Sequence, residues 1–145
     1  MKAPTARRGA RFAVQLSEFR KKANQNLNNV RRGVALRLFK AIIMDTPVMT
    51  GRLRANWQCT VNVPARSNSL ASDTSGGPTI QEAATTVVNS RMADSLILTN
   101  SLPYVARVEY DGWSHTKAPR GMVRINVTRF AQILGEEVRL TRSRS

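Results

Sequence analysis

From Phe12 onward the apolar residues Phe12, Leu16, Phe19, Ala23, Leu27, Val30, Val34, Leu38 and Ala41 recur at a mean spacing close to 3.6. That spacing predicts a stripe along one helical face. The stretch Asn24-Gln25-Asn26-Leu27-Asn28-Asn29 is poor in helix formers and rich in capping residues, so the stripe divides into two helices, over 11–22 and 26–45, with a break near Asn24. Gly33 in the second helix marks a close approach to another helix or a sheet. Pro47 ends the run. The period then changes. Leu53, Ala55, Trp57, Cys59, Val61 and Val63 alternate with Arg54, Asn56, Gln58, Thr60 and Asn62, which predicts a strand with one buried face. Thr50-Gly51 turns the chain into it and Pro64 stops it.

Residues 64–79, rich in Ser, Asn, Asp and Gly, read as a mobile surface loop. Thr79-Ile80-Gln81-Glu82 has capping-box spacing and predicts a helix over 80–89, although the β-branched run Thr85–Val88 suits a strand equally. Ser95–Thr99 reads as a buried strand. Asn100-Ser101 caps a short helix with Pro103 in its first turn and Tyr104, Val105 and Val108 packed inward. Met122, Val123, Val127, Phe130, Ile133, Leu134 and Val138 return to helical spacing. The predicted architecture is α+β: N-terminal helices and a C-terminal helix packed on a small antiparallel sheet. A disordered basic tail over 1–10 precedes a single domain over 11–138, and a basic tail over 139–145 follows it.

Charge adds a partner class. The 145 residues carry 23 Lys plus Arg against 9 Asp plus Glu, a formal net charge of +14. Residues 1–40 hold eleven basic side chains against the single acid Glu18. Arg7, Arg8, Arg11, Arg20, Lys21, Lys22, Arg31 and Arg32 are the candidate contacts to DNA or to an acidic protein surface. Phe12, Phe19 and Phe39 lie at or beside the apolar stripe and read as core rather than as base-stacking residues.

Other chemistries recede. A single Cys59 excludes an intramolecular disulfide and a multi-cysteine zinc site, and a single His115 excludes a histidine-rich metal centre within one chain. Cys59 reads as a buried structural thiol. No apolar run approaches the roughly 20 residues of a membrane span, and no apolar segment follows Lys2, Arg7 and Arg8 as a secretory signal requires. A basic amphipathic helix also suits an anionic membrane surface, but here the stripe is expected to cover the sheet. Glu109 with Asp111, and Glu136 with Glu137, are the carboxylate pairs a hydrolase would need; solvated charges or local ion pairs explain them more simply. Gly76-Gly77-Pro78 lacks the Lys and Ser/Thr of a phosphate-binding loop. The chain reads as a non-enzyme without metal or cofactor, and a basic nucleic-acid-binding protein is the alternative to the assignment below.

Thr46-Pro47-Val48-Met49-Thr50-Gly51-Arg52-Leu53-Arg54-Ala55-Asn56-Trp57-Gln58 resembles the central motif of the small neck, or head–tail joining, proteins of tailed bacteriophages. Two further segments resemble later motifs of that family, Leu98–Tyr110 around Asn100-Ser101-Leu102-Pro103-Tyr104, and Ala118-Pro119-Arg120-Gly121-Met122-Val123-Arg124. With the preceding helices the resemblance covers about residues 11–134. The chain departs from the family at Met49, where an acidic or small residue is usual, and at Asp111, inserted before Gly112. The 64–79 loop is particular to this chain.

The resemblance implies a virion structural protein at the head–tail junction, made in the bacterial host cytoplasm and acting as neck, tail-completion or terminator protein. It further implies a homo-oligomeric ring, hexamer or dodecamer, around the DNA channel, touching portal or connector and tail-tube proteins. Packaged DNA is a further contact, and membrane is not. Pro47, Thr50, Gly51, Trp57, Pro103, Tyr104 and Gly121 fall to structural roles. Arg52, Arg54, Glu109, Tyr110, Trp113, Lys117 and Arg120 are candidate subunit or partner contacts, with the 64–79 loop, the 110–120 loop and the basic helices as the surfaces of a heterologous ring interface.

Overall fold

The computed structural model describes the backbone of residues 3–111 and 120–144, with side chains from Gln15 onward in that span. The candidate contacts Trp113 and Lys117, and His115, lie outside the described residues, as do the side chains of Arg7, Arg8 and Arg11.

The apolar stripe is carried by one helix, α1, running unbroken from Ala3 to Asp45. The expected break near Asn24 and the disorder expected over the described part of 1–10 are both absent. Asparagine in a helix interior costs only a few tenths of a kcal/mol relative to better formers, and with no internal Pro the hydrogen-bond ladder propagates through it. Pro4 sits in the first turn, where its missing N–H costs nothing. At the other end Thr46 closes the helix: its amide reaches Ile43 O at 3.3 Å and its hydroxyl donates to Ile42 O at 2.8 Å.

The alternating segment splits. Gly51, at φ 85°, turns the chain into a one-turn helix, α2 (Arg52–Ala55), and only then into strand β1 (Trp57–Val61). Leu53 and Trp57 are four apart as well as even-spaced, so a helical turn also points both inward. The amides of Ala55 and Asn56 close that turn on Gly51 O and Arg52 O. β1 stops at Asn62, which takes a left-handed φ of 66°. Its side chain accepts from Ser95 N and donates to the Asp94 carboxylate.

Helix α3 (Gly77–Asn89) begins three residues before the expected helix, and strand β2 (Leu96–Asn100) follows it. β2 pairs antiparallel with β1, Trp57 opposite Asn100, Cys59 opposite Leu98 and Val61 opposite Leu96. The chain continues through α4 (Val105–Tyr110), α5 (Val123–Val127) and α6 (Phe130–Arg144). The expected last helix is thus two, and what was expected as a basic tail is the end of α6. The fold is α+β, with N- and C-terminal helices around a two-stranded antiparallel sheet.

The core joins Ile42 and Ile43 of α1 to Leu53, Trp57, Ala83, Leu102, Val108 and Met122. Each of the large side chains among them contributes about 1.5–3 kcal/mol by leaving water. α3 and α6 both pack on α1. Gly33 is the close point of the α1–α6 contact, where an added Cβ would run into the Glu137 carboxylate. Arg37 of α1 is salt-bridged to Glu136 and Glu137 of α6.

Candidate functional site

The residues of the three sequence motifs converge on one hub. Trp57, buried, donates its indole N–H to Thr46 Oγ1 at 2.7 Å, tying β1 to the end of α1. Asn100 of the second motif donates to Leu53 O of the first at 2.8 Å. Glu109, 6% exposed, reaches from the second motif into the third. Its Oε2 accepts from the amides of Met122 (2.5 Å) and Val123 (2.9 Å), and its Oε1 from the amide and Nε of Arg124 at 2.9 and 3.1 Å. It therefore caps the first turn of α5. Burial pushes the Glu109 carboxyl up, but these hydrogen bonds outweigh it and hold it below the ordinary glutamate value. Gly121, at φ 83°, is required there, since a Cβ would lie 2.6 Å from Glu109 O.

Two expected subunit contacts are thereby corrected. Glu109 is occupied within its own chain. Arg54, 8% exposed, is turned inward rather than lying at a strand edge. Its guanidinium donates to the carbonyls of Thr74 (2.7 Å), Met44 (3.0 Å) and Thr46 (3.0 Å), closing off the C-terminal end of α1. The α1–β1 turn is also sewn to the loop expected to be mobile. Asn56, buried, bonds to Ser69 in both directions, Arg52 Nε donates to Ser69 O at 3.3 Å, and Asp73 N reaches Gly51 O at 3.0 Å. Thr50 accepts from Arg52 N at 3.3 Å.

Asp73 rather than a Thr79 capping box starts α3. Its carboxylate accepts from Gly76 N (2.7 Å), Thr79 N (3.0 Å) and Thr79 Oγ1 (2.6 Å). Burial works against its charge, yet these bonds and one from Ser75 bring its pKa down to about 2. Of the other expected contacts, Tyr110 is exposed, with the Arg124 guanidinium 4.9 Å above its ring. Arg120 and Pro103 are exposed, Pro47 is half-buried, and Tyr104 packs against the core.

The basic residues divide into two sets. Arg31 donates to Ser90 Oγ (3.0 Å) and Asp94 O (2.7 Å), and Arg32 to Ser90 O (2.9 Å). These two clamp α1 to the turn between α3 and β2. Arg20, Lys21 and Lys22 are exposed to solvent on the N-terminal half of α1.

The stripe residue Phe19, expected in the core, is 72% exposed, and Leu27 is 56% exposed, whereas Phe39 is buried as expected. Phe19, Ala23, Leu27 and Val30 of α1 face Leu134 and Val138 of α6 across an open groove of about 680 Å³. Lys22 and Arg142 stand at its margins. The length of the stripe in the sequence signals such a surface. The stripe from Phe12 to Ala41 is about 45 Å of helix, more than twice the ~17 Å of a five-residue strand, so a small sheet could not cover all of it.

Among the described residues there is no group of three or more His, Cys, Asp or Glu placed to hold a metal ion, and no helix long and apolar enough to cross a membrane. No protein-family model, curated protein or solved structure matches the chain.

Proposed function

We propose that the chain is a structural protein of a bacteriophage head–tail junction, building a ring that joins head to tail around the DNA channel. The observation that carries this reading is the convergence of the three family-like segments. Residues 46–58, 98–110 and 120–124 form one hydrogen-bonded hub through Thr46–Trp57, Leu53–Asn100 and Glu109–Met122. The three also share the core, through Leu53 and Trp57, Leu102 and Val108, and Met122, the arrangement that the resemblance leads one to expect. The hub's polar groups are spent on backbone capping, as suits a scaffold, while Phe19, Leu27 and the exposed Met49 and Leu70 offer apolar surface for assembly. Portal or connector and tail-tube proteins are the neighbours this role requires.

The test is on particles. Deleting the coding sequence should leave filled heads and tails unjoined, and a reconstruction of intact particles should place this chain in a ring at the junction. Joined particles without the chain, or junction layers that accommodate no copy of it, overturn the reading. The exposed Arg20, Lys21 and Lys22 support the second reading, nucleic-acid binding by the free chain. Tight duplex binding that weakens steeply between two salt concentrations favours it, and weak binding at both removes it.

A further inference from the structure

The groove between α1 and α6 belongs to none of the hub interactions, yet it is built like a receptor for a helix. From Phe19 to Val30 its α1 wall spans about 16 Å, three helical turns. Phe19, Leu27 and Leu134 leave that wall and the facing one open to water. Its lining carries two cations, Lys22 and Arg142; next to Phe19 on α1 the exposed Arg20 and the exposed Glu18 offset each other in charge. None of the described residues lining it is acidic.

We infer that this groove docks an acidic amphipathic helix of another protein, its apolar face on Phe19, Leu27 and Leu134 and its carboxylates toward Lys22 and Arg142. Charge selects this occupant. Groove-to-groove pairing with a second copy would set Lys22 and Arg142 against their own counterparts, which opposes it; contacts between copies through other surfaces are untouched by this. Nucleic acid would satisfy the margins and leave the apolar floor wet. An amphipathic helix carrying leucines at i, i+3/i+4 and i+7, flanked by glutamates, satisfies both. The inference does not rest on the head–tail assignment, because a helix receptor of this chemistry can serve other assemblies.

The experiment uses the whole chain and fluorescein-labelled peptides of about 18 residues, long enough for five helical turns. One presents leucines on one face and glutamates on its flanks, a second is its scrambled isomer of equal charge, and a third has lysines for glutamates. Anisotropy should show the first binding at least tenfold more tightly than either other. Leu27→Glu and, separately, Phe19→Ser should each weaken it at least tenfold. Both positions are largely exposed, so the thermal midpoint should hold and report an intact fold.

Equal binding of the scrambled peptide, meaning charge alone, overturns the inference. So does binding unchanged in Leu27→Glu. Concentration-dependent self-association that Leu27→Glu abolishes and the peptide cannot displace assigns the groove to a second copy and also overturns it. The readout is in solution, so its failure is separable from failure of the particle experiment.

Discussion

Replacing Glu109 by Gln is the most incisive perturbation of the hub, because it keeps the shape and removes the charge and half of the acceptors. In the native protein both carboxylate oxygens are doubly used, Oε2 by Met122 N and Val123 N and Oε1 by Arg124 N and Nε. A glutamine amide has one acceptor oxygen, and its NH₂, whichever way it turns, faces two N–H donors. Each donor stranded in a buried site costs about 1–3 kcal/mol, so Glu109→Gln should lose about 2–4 kcal/mol of stability at neutral pH, or roughly 6–12 °C of thermal midpoint for a chain of this size. Urea denaturation followed by circular dichroism gives the difference directly. The effect also depends on pH. Glu109 has a folded value below its unfolded one, so its contribution is complete above the ordinary glutamate range and is lost as pH falls through the lowered folded value. The gap between native protein and Glu109→Gln should therefore narrow on acidification. Gly121→Ala, which presses a Cβ on the same residue, should destabilise too, and its effect should be non-additive with Glu109→Gln. A Glu109→Gln protein within about 0.5 kcal/mol of native, a margin typical of ordinary surface substitutions, or a gap indifferent to pH would refute the capping argument.

Asp73→Asn should cost about 1–2 kcal/mol as a lost helix cap, and hydrogen exchange should speed up at Gly76 and Thr79. The native contribution is present above the ordinary aspartate value and vanishes as pH falls toward about 2; exchange unchanged in Asp73→Asn would contradict it. Arg54→Lys should fail to replace arginine, losing about 2–4 kcal/mol in urea titrations, because a single ammonium nitrogen lacks the fork by which Nη1 reaches Thr74 O while Nη2 holds Met44 O and Thr46 O; full stability in Arg54→Lys would count against the clamp. Cys59 is half-buried, and burial pushes its thiol up, so its reaction with an aromatic disulfide at about pH 8 should be slower in native than in urea-unfolded protein; equal rates would contradict that protection.

Where local chemistry dictates conformation, the sequence was readable. Pro47 and Gly51 bound the turn between α1 and α2, Trp57 lies inward, and β2 sits within a residue of its expected bounds. The errors share a cause. Polar side chains read as solvent-facing, but Arg54, Asn56, Asp73 and Glu109 are buried because each satisfies backbone groups; Asp73 does so 3 to 6 residues away, whereas Arg54, Glu109 and the Asn56–Ser69 pair reach across 8 to 20 residues. No periodicity encodes such pairings. The same limit applied to the basic candidates. Arg31 and Arg32 resemble Arg20–Lys22 in composition, and only the arrival of the Ser90–Asp94 turn beside them makes two of the five into internal clamps. The α1–α6 groove was half legible, since both apolar stripes are written at helical spacing but their mutual placement is tertiary.

The undivided α1 explains how a small chain can hold apolar surface out for a partner without unfolding it. Its C-terminal half is fixed by Ile42, Ile43 and Phe39 in or beside the core and by the Arg31, Arg32 and Arg37 clamps. Helix formation is costly to nucleate and cheap to extend, so a body that supplies the nucleus lets the N-terminal half stay helical with little packing of its own. Had the asparagine stretch broken the helix, a free segment over 11–22 would have had to bury its stripe to remain ordered, and Phe19 would be core. Continuity instead keeps Phe19 and Leu27 exposed in a fixed geometry, so a partner helix pays little to order the receptor. The same reasoning makes the asparagine stretch the sensitive point: a helix-breaking Asn24→Pro should leave the body folded yet abolish groove binding. If it melts the body instead, the arm and the hub are one cooperative unit.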